Sequence, residues 1–102
     1  VINTGTNDIG VEPDVFIGGY QELLQKIHGR YPDIEVVCMI PFNQIHAEDI
    51  REAVKDYEWC HIVETAGWEF TYSDEGQIHP DSEGSKVIAE HLVRYINEEV
   101  GF

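Results

Sequence analysis

Ile34-Glu35-Val36-Val37-Cys38-Met39-Ile40 runs straight into Pro41-Phe42-Asn43. Six of the seven residues before the proline are apolar, with no apolar–polar alternation. A short continuous run of this kind, closed by a proline, reads as a strand buried on both faces. That is how a central strand of a parallel sheet looks in sequence. The neighbours on either side are helical. Upstream, residues 13–28 begin with Pro13, which suits a first helical position, and Phe16, Tyr20, Leu23, Leu24 and Ile27 recur at helical spacing. Gly29 is placed to cap this helix and Pro32 to stop it. Gly18 and Gly19 weaken it by about 1 kcal/mol each relative to alanine, which a close approach to the sheet would explain.

Downstream the alternation continues. Residues 46–57 carry Ile50, Ala53, Val54 and Tyr57 on one face, with Glu48 and Asp49 near the start, where the helix dipole favours anions. His61-Ile62-Val63-Glu64-Thr65 reads as another short strand. An irregular stretch, 66–77, follows with Trp68, Phe70 and Tyr72. The last helix spans 82–98, with Val87, Ile88, Leu92, Tyr95 and Ile96 turned inward and Asp81 or Ser82 as its cap. At the other end, Val1, Ile2 and Asn3 read as the tail of a buried strand, and the lack of an initiator methionine points to a piece of a larger domain. Strand, helix, strand, helix, strand, helix predicts right-handed crossovers and a three-layer α/β/α parallel sheet.

With 102 residues the chain is expected to hold one domain or part of one, spanning 1–102. Its 42% hydrophobic content supports a core. Six basic residues against 20 acidic ones give a formal charge of −14, which argues against nucleic-acid or anionic-membrane partners. No apolar run approaches the ~18 residues of a membrane span. No signal peptide is visible, but in a fragment that leaves the compartment open, with the cytoplasm only slightly favoured. Cys38 and Cys60 have no metal or redox spacing, and a disulfide between them has no sequence support. Five scattered histidines show no zinc-ligand pattern, and no metal or organic cofactor is expected. Four of the five, all but His79, read as structural or surface residues.

Two polar loops follow strands. One is Thr4-Gly5-Thr6-Asn7-Asp8-Ile9-Gly10, and the other runs from Asp74 through Glu75, Gly76, Gln77 and Ile78 to His79 and Pro80. In parallel sheets ligands gather at the carboxyl ends of strands, so both loops are expected on one edge. Pro80 restricts His79 to extended backbone. A histidine held at a helix mouth with carboxylates upstream has the makings of a general base.

Taken together, the two loops resemble those of the SGNH (GDSL-type) hydrolases, a family of flavodoxin-like serine esterases and lipases. Gly5-Thr6-Asn7-Asp8 looks like the family's GxND block, and Ile78-His79-Pro80 followed by Gly84 looks like its terminal block. The resemblance covers essentially the whole chain and corresponds to the carboxyl-terminal half or so of such a domain. It implies that Asn7 donates its amide to the oxyanion of a tetrahedral intermediate and that His79 moves the nucleophile's proton. Asp8 is expected to hold the loop together. Gly5, Thr6 and Trp68 are expected around a small-molecule ester, with Phe70 and Tyr72 beside Trp68; packing beneath a long loop accounts for those aromatics equally well.

Two departures stand out. The family's acid lies three residues before the histidine, where this chain has Gly76. Asp74, Glu75 or a backbone carbonyl is left to orient the His79 ring, with Asp74 preferred. The serine block and the second oxyanion-hole glycine are missing. Ser82 and Ser85 suit a helix start, and Ser73 has no strand-to-helix elbow. This piece alone is therefore expected to be inert, and the parent protein to cleave small acyl esters, such as acetyl groups on sugars. Without the serine-bearing strand, Val1, Ile2 and Asn3 would form an open edge, predicting self-association or reliance on an upstream segment. The competing reading is a non-catalytic flavodoxin-like binding domain. A receiver-type signalling domain is disfavoured because Lys86 falls inside a helix rather than at a strand end.

Overall fold

The computed structural model describes residues 1–5, 8–73 and 79–101. The chain is an α/β protein that divides into two compact units, Val1–Glu64 and Thr65–Phe102.

The first unit is built on parallel pairing. Strand β1 (Val36–Met39) pairs in parallel with β2 (Cys60–Val63), with Val36 opposite Cys60 and Met39 opposite Val63. On the other side of β1, Ile2 makes a parallel bridge to Cys38: its N–H donates to the Val37 carbonyl at 2.7 Å, and its carbonyl accepts from the Met39 N–H at 2.9 Å. Parallel neighbours need crossover connections, and helices supply both. Helix α1 (Pro13–Arg30) lies between the Ile2 bridge and β1, and α2 (Ala47–Val54) lies between β1 and β2.

All four β1 positions are buried, as its unbroken apolar run predicts. Val36, Cys38 and Ile40 form one cluster with Phe16, Tyr20 and Leu24 of α1 and Ile50, Ala53 and Val54 of α2. The 16, 20, 24 spacing is the stripe that a 3.6-residue period brings to one side. The Gln21 side-chain amide donates to the Ala53 carbonyl at 3.3 Å and that of Gln25 to the Tyr57 hydroxyl at 3.1 Å, tying α1 to α2 and its exit. Arg51 forks onto the Glu64 carboxylate with two bonds, of 2.8 and 2.7 Å, and so fastens α2 to the end of β2.

Several local expectations are corrected. Helix α1 continues through Gly29, and Tyr31 is its cap, donating its N–H to the Ile27 carbonyl at 2.8 Å. Gly18 and Gly19 are exposed, and a Cβ at either would meet nothing within 4 Å, so no close approach accounts for them. Leu23 is 41% exposed while Leu24 is fully buried, so the apolar stripe is narrower than the residue types suggest. Helix α2 ends at Val54, three residues early, because the chain turns there with the Tyr57 N–H on the Val54 carbonyl. Cys60 belongs to β2 rather than preceding it.

The second unit is a loop and a helix. Helix α3 (Ser82–Tyr95) is continued by a wider π-helical turn, Ile96–Val100. Asp81 is its cap, accepting the Gly84 N–H at 2.7 Å. Ahead of it, Tyr72 and Pro80 form an antiparallel bridge, and the Asp81 N–H donates to the Thr71 carbonyl at 3.1 Å.

Candidate functional site

The first polar loop leaves the residue that bridges to β1. Gly5 is buried with φ +116°, a conformation that favours glycine. A Cβ there would lie 3.2 Å from Pro41 Cγ and 3.3 Å from Phe16 Cζ. The backbone thus runs against the end of β1 and the first turns of α1, which explains why the position is glycine. The Asp8 N–H donates to the Gly5 carbonyl at 3.0 Å, and the Asp8 carbonyl accepts from Val11 N–H at 3.1 Å. Asp8 therefore holds the loop through its backbone. Thr6 and Asn7 lie outside the described residues. Thr4 and Asp8 line a cavity of about 240 Å³ together with Val11, Phe16, Tyr20 and Leu23.

His46 was not singled out by sequence, yet its side chain contacts this loop directly at the Asp8 carbonyl. It sits immediately before α2 in a left-handed conformation, φ 60° and ψ 19°. Its side chain is 6% exposed. Nδ1 lies 2.7 Å from the Asp49 carboxylate and Nε2 lies 2.5 Å from the Asp8 carbonyl. The ring stacks flat on Phe16, with centroids 3.9 Å apart and planes 4° apart. Burial works to lower its pKa. Hydrogen bonds to Asp49 and Asp8, and the charges of both residues, outweigh burial and leave the pKa raised. The i, i+3 spacing to Asp49 was visible in sequence; the contact with a carbonyl 38 residues away was not.

The second loop belongs to the other unit. The Ser73 N–H donates to the His79 carbonyl at 2.8 Å, and the Ser73 hydroxyl donates to the same carbonyl at 3.1 Å. With the Tyr72–Pro80 bridge, these bonds fix the backbone that presents His79, whose residue is exposed just ahead of the α3 cap. Ser73 thus acts as a clamp on the loop. Ser82 and Ser85 occupy the first turn of α3, as a helix start predicts. Asp74, Glu75, Gly76, Gln77 and Ile78 lie outside the described residues, and with them Asp74 as the partner of His79. Trp68 stacks on His91 of α3, centroids 4.4 Å apart and planes 11° apart, and Phe70 packs against Tyr72 at 4.8 Å.

Gly84 explains part of the terminal block physically. A Cβ on it would collide with the Thr71 carbonyl oxygen and lie 3.2 Å from Pro80 Cβ. The first turn of α3 therefore packs directly on the backbone that leads into the histidine loop. Among the described residues no group of three or more His, Cys, Asp or Glu side chains could hold a metal ion. No helix among them is long and apolar enough to cross a membrane. Compared with protein-family models, curated proteins and solved structures, the chain matches none of the three.

Proposed function

We propose that this chain forms the carboxyl-terminal part of an SGNH-type serine esterase, a three-layer flavodoxin-like domain that hydrolyses small carboxylic esters through an acyl-enzyme. In this reading Asn7 donates to the oxyanion, His79 carries the proton between nucleophile and leaving alcohol, and Asp74 orients the imidazole. The serine comes from a segment outside this chain. The observation that carries the reading is the position of the GTND block. Its first residue, Gly5, lies three positions after Ile2, which bridges in parallel to β1, and ligands of α/β sheets gather where the chain leaves a parallel strand. The clamped backbone at His79, next to the capped start of α3, supports the second half of the same reading.

The test is hydrolysis of p-nitrophenyl acetate by the full-length protein. Asn7→Ala is expected to lower the rate by about 100- to 1,000-fold, the usual cost of one oxyanion donor. His79→Ala is expected to abolish turnover above background. Wild-type rates in both variants overturn the assignment.

One observation favours a second reading, a non-catalytic binding domain of the same fold. The cavity that Thr4 and Asp8 line is otherwise walled mainly by apolar groups. A full-length protein that turns over no ester, yet binds a small apolar ligand with perturbation of Val11 and Leu23, selects this reading instead.

A further inference from the structure

His46 has two contacts that cannot both be hydrogen bonds to a neutral ring. Its partners are a carboxylate, on Asp49, and a backbone carbonyl, on Asp8. An ionised carboxylate and a carbonyl only accept, and a neutral imidazole has a single N–H to give. Both bonds form only when the pair holds one more proton than a neutral ring facing an ionised carboxylate. That proton makes the ring an imidazolium, with one N–H facing the Asp49 carboxylate and the other the Asp8 carbonyl.

The backbone at this residue is held in an uncommon state as well. A non-glycine residue in the left-handed region is uncommon and persists where its surroundings over-determine it. Here three contacts do so: Asp49 from α2, Asp8 from the loop, and the Phe16 ring from α1. The Asp8 carbonyl is the acceptor for Val11 N–H too, so the ring grips the point where the loop turns into the approach to α1.

We propose that His46 is a proton-operated latch on the backbone turn from Asp8 to Val11, closed when the His46–Asp49 pair carries its extra proton and opened at the Asp8 carbonyl when that proton leaves. The direction follows from the partners. A neutral ring keeps its one N–H on the carboxylate, because a charge-assisted bond is the stronger of the two. Nε2 then presents a lone pair to the Asp8 carbonyl oxygen at 2.5 Å, and the two repel. The charged groups acting on the ring are the carboxylates of Asp49 and Asp8, and Phe16 contributes an uncharged face. Both carboxylates favour the closed form. The latch therefore holds on the acid side and releases as pH rises through the raised folded pKa of the ring. Release moves the wall of the cavity formed by Thr4 and Asp8.

This latch does not depend on the esterase reading, and its test uses no substrate. The full chain, labelled with ¹⁵N, is titrated while the ring nitrogens of His46 and the amides of Gly5, Asp8 and Val11 are followed by NMR. The expected result is a doubly protonated ring at about pH 6, a midpoint above the ordinary ~6.5, and the same midpoint at the three amides. Asp49→Asn is expected to lower ring and amide midpoints together, by at least about tenfold in proton affinity. Either a ring already neutral at about pH 6 or loop amides that ignore the ring's midpoint overturns the proposal.

Discussion

The Thr71 hydroxyl donates to Oδ1 of Asp81 at 2.6 Å, and the same oxygen accepts the Gly84 N–H that begins helix α3. One carboxylate thus closes the histidine loop and caps the helix. The Thr71 hydroxyl first, and the N–H groups of Gly84 and Glu83 after it, hold the Asp81 carboxyl below its ordinary range, against a smaller opposing effect of burial. Its folded pKa lies below the unfolded value. Its contribution to stability is therefore fully present above the unfolded pKa, near pH ~4, and is lost as pH falls through the lower folded value. Asp81→Ala is expected to lower Tm by about 5 °C at neutral pH, in line with the loss of a helix cap in a domain of this size. The gap to wild type should close in acid. Thermal melts of both proteins across the acid range check this, and a gap that stays constant with pH removes the carboxylate from the account.

Gly84→Ala should be the more damaging change. The added methyl would meet the Thr71 carbonyl oxygen, which is backbone and cannot swing aside as a side chain can. That same carbonyl accepts the Asp81 N–H at 3.1 Å, so relief of the clash breaks the loop closure as well. A loss of about 1–3 kcal/mol is expected by denaturant titration, as for overpacking elsewhere. Within the second unit, the indole of Trp68 on His91 gives a fluorescence reporter for the same melt.

Gly5→Ala tests the other loop. The position combines φ +116° with neighbours at 3.2 and 3.3 Å, so alanine is strained in backbone and crowded in side chain. A cost of about 1–3 kcal/mol is expected, whereas Gly10→Ala, whose Cβ would enter open space, should change stability by less than about 0.5 kcal/mol. Equal effects at the two glycines would mean that the loop does not press on Phe16 and Pro41.

The parallel pairing was legible because burial on both faces leaves a strand no reason to alternate, and 36–39 does not. Helix existence was legible from period, but helix ends were not. Gly29 has the type of a cap and sits inside α1, because the chain finds its terminal bond two residues later, between Tyr31 and Ile27. His46 was missed for a different reason. Its role depends on a carbonyl 38 positions away and on a ring stack with Phe16, and neither leaves a local pattern. Of the motif-derived residues, Gly5 and Gly84 carry their reason in the packing, since each is a place where a Cβ has no room.

The phase of α1 yields the last prediction. Leu23 and Leu24 have the same chemistry and adjacent positions, yet one is 41% exposed and the other is fully buried in the cluster with Cys38, Ile40 and Ile50. Adjacent helical residues point about 100° apart, so only one of the pair can face the sheet. Leu24→Ala deletes buried methyl groups and leaves a cavity beneath β1, at an expected cost of about 2–5 kcal/mol. Leu23→Ala loses only partial burial, and its expected cost is under about 1 kcal/mol. Leu23 also lines the cavity beside the first loop, so its replacement should change small-molecule binding there while leaving the denaturation midpoint nearly unmoved. A larger loss at Leu23 than at Leu24 would rotate α1 about its axis relative to β1, and with it the placement of Phe16 under Gly5 and His46.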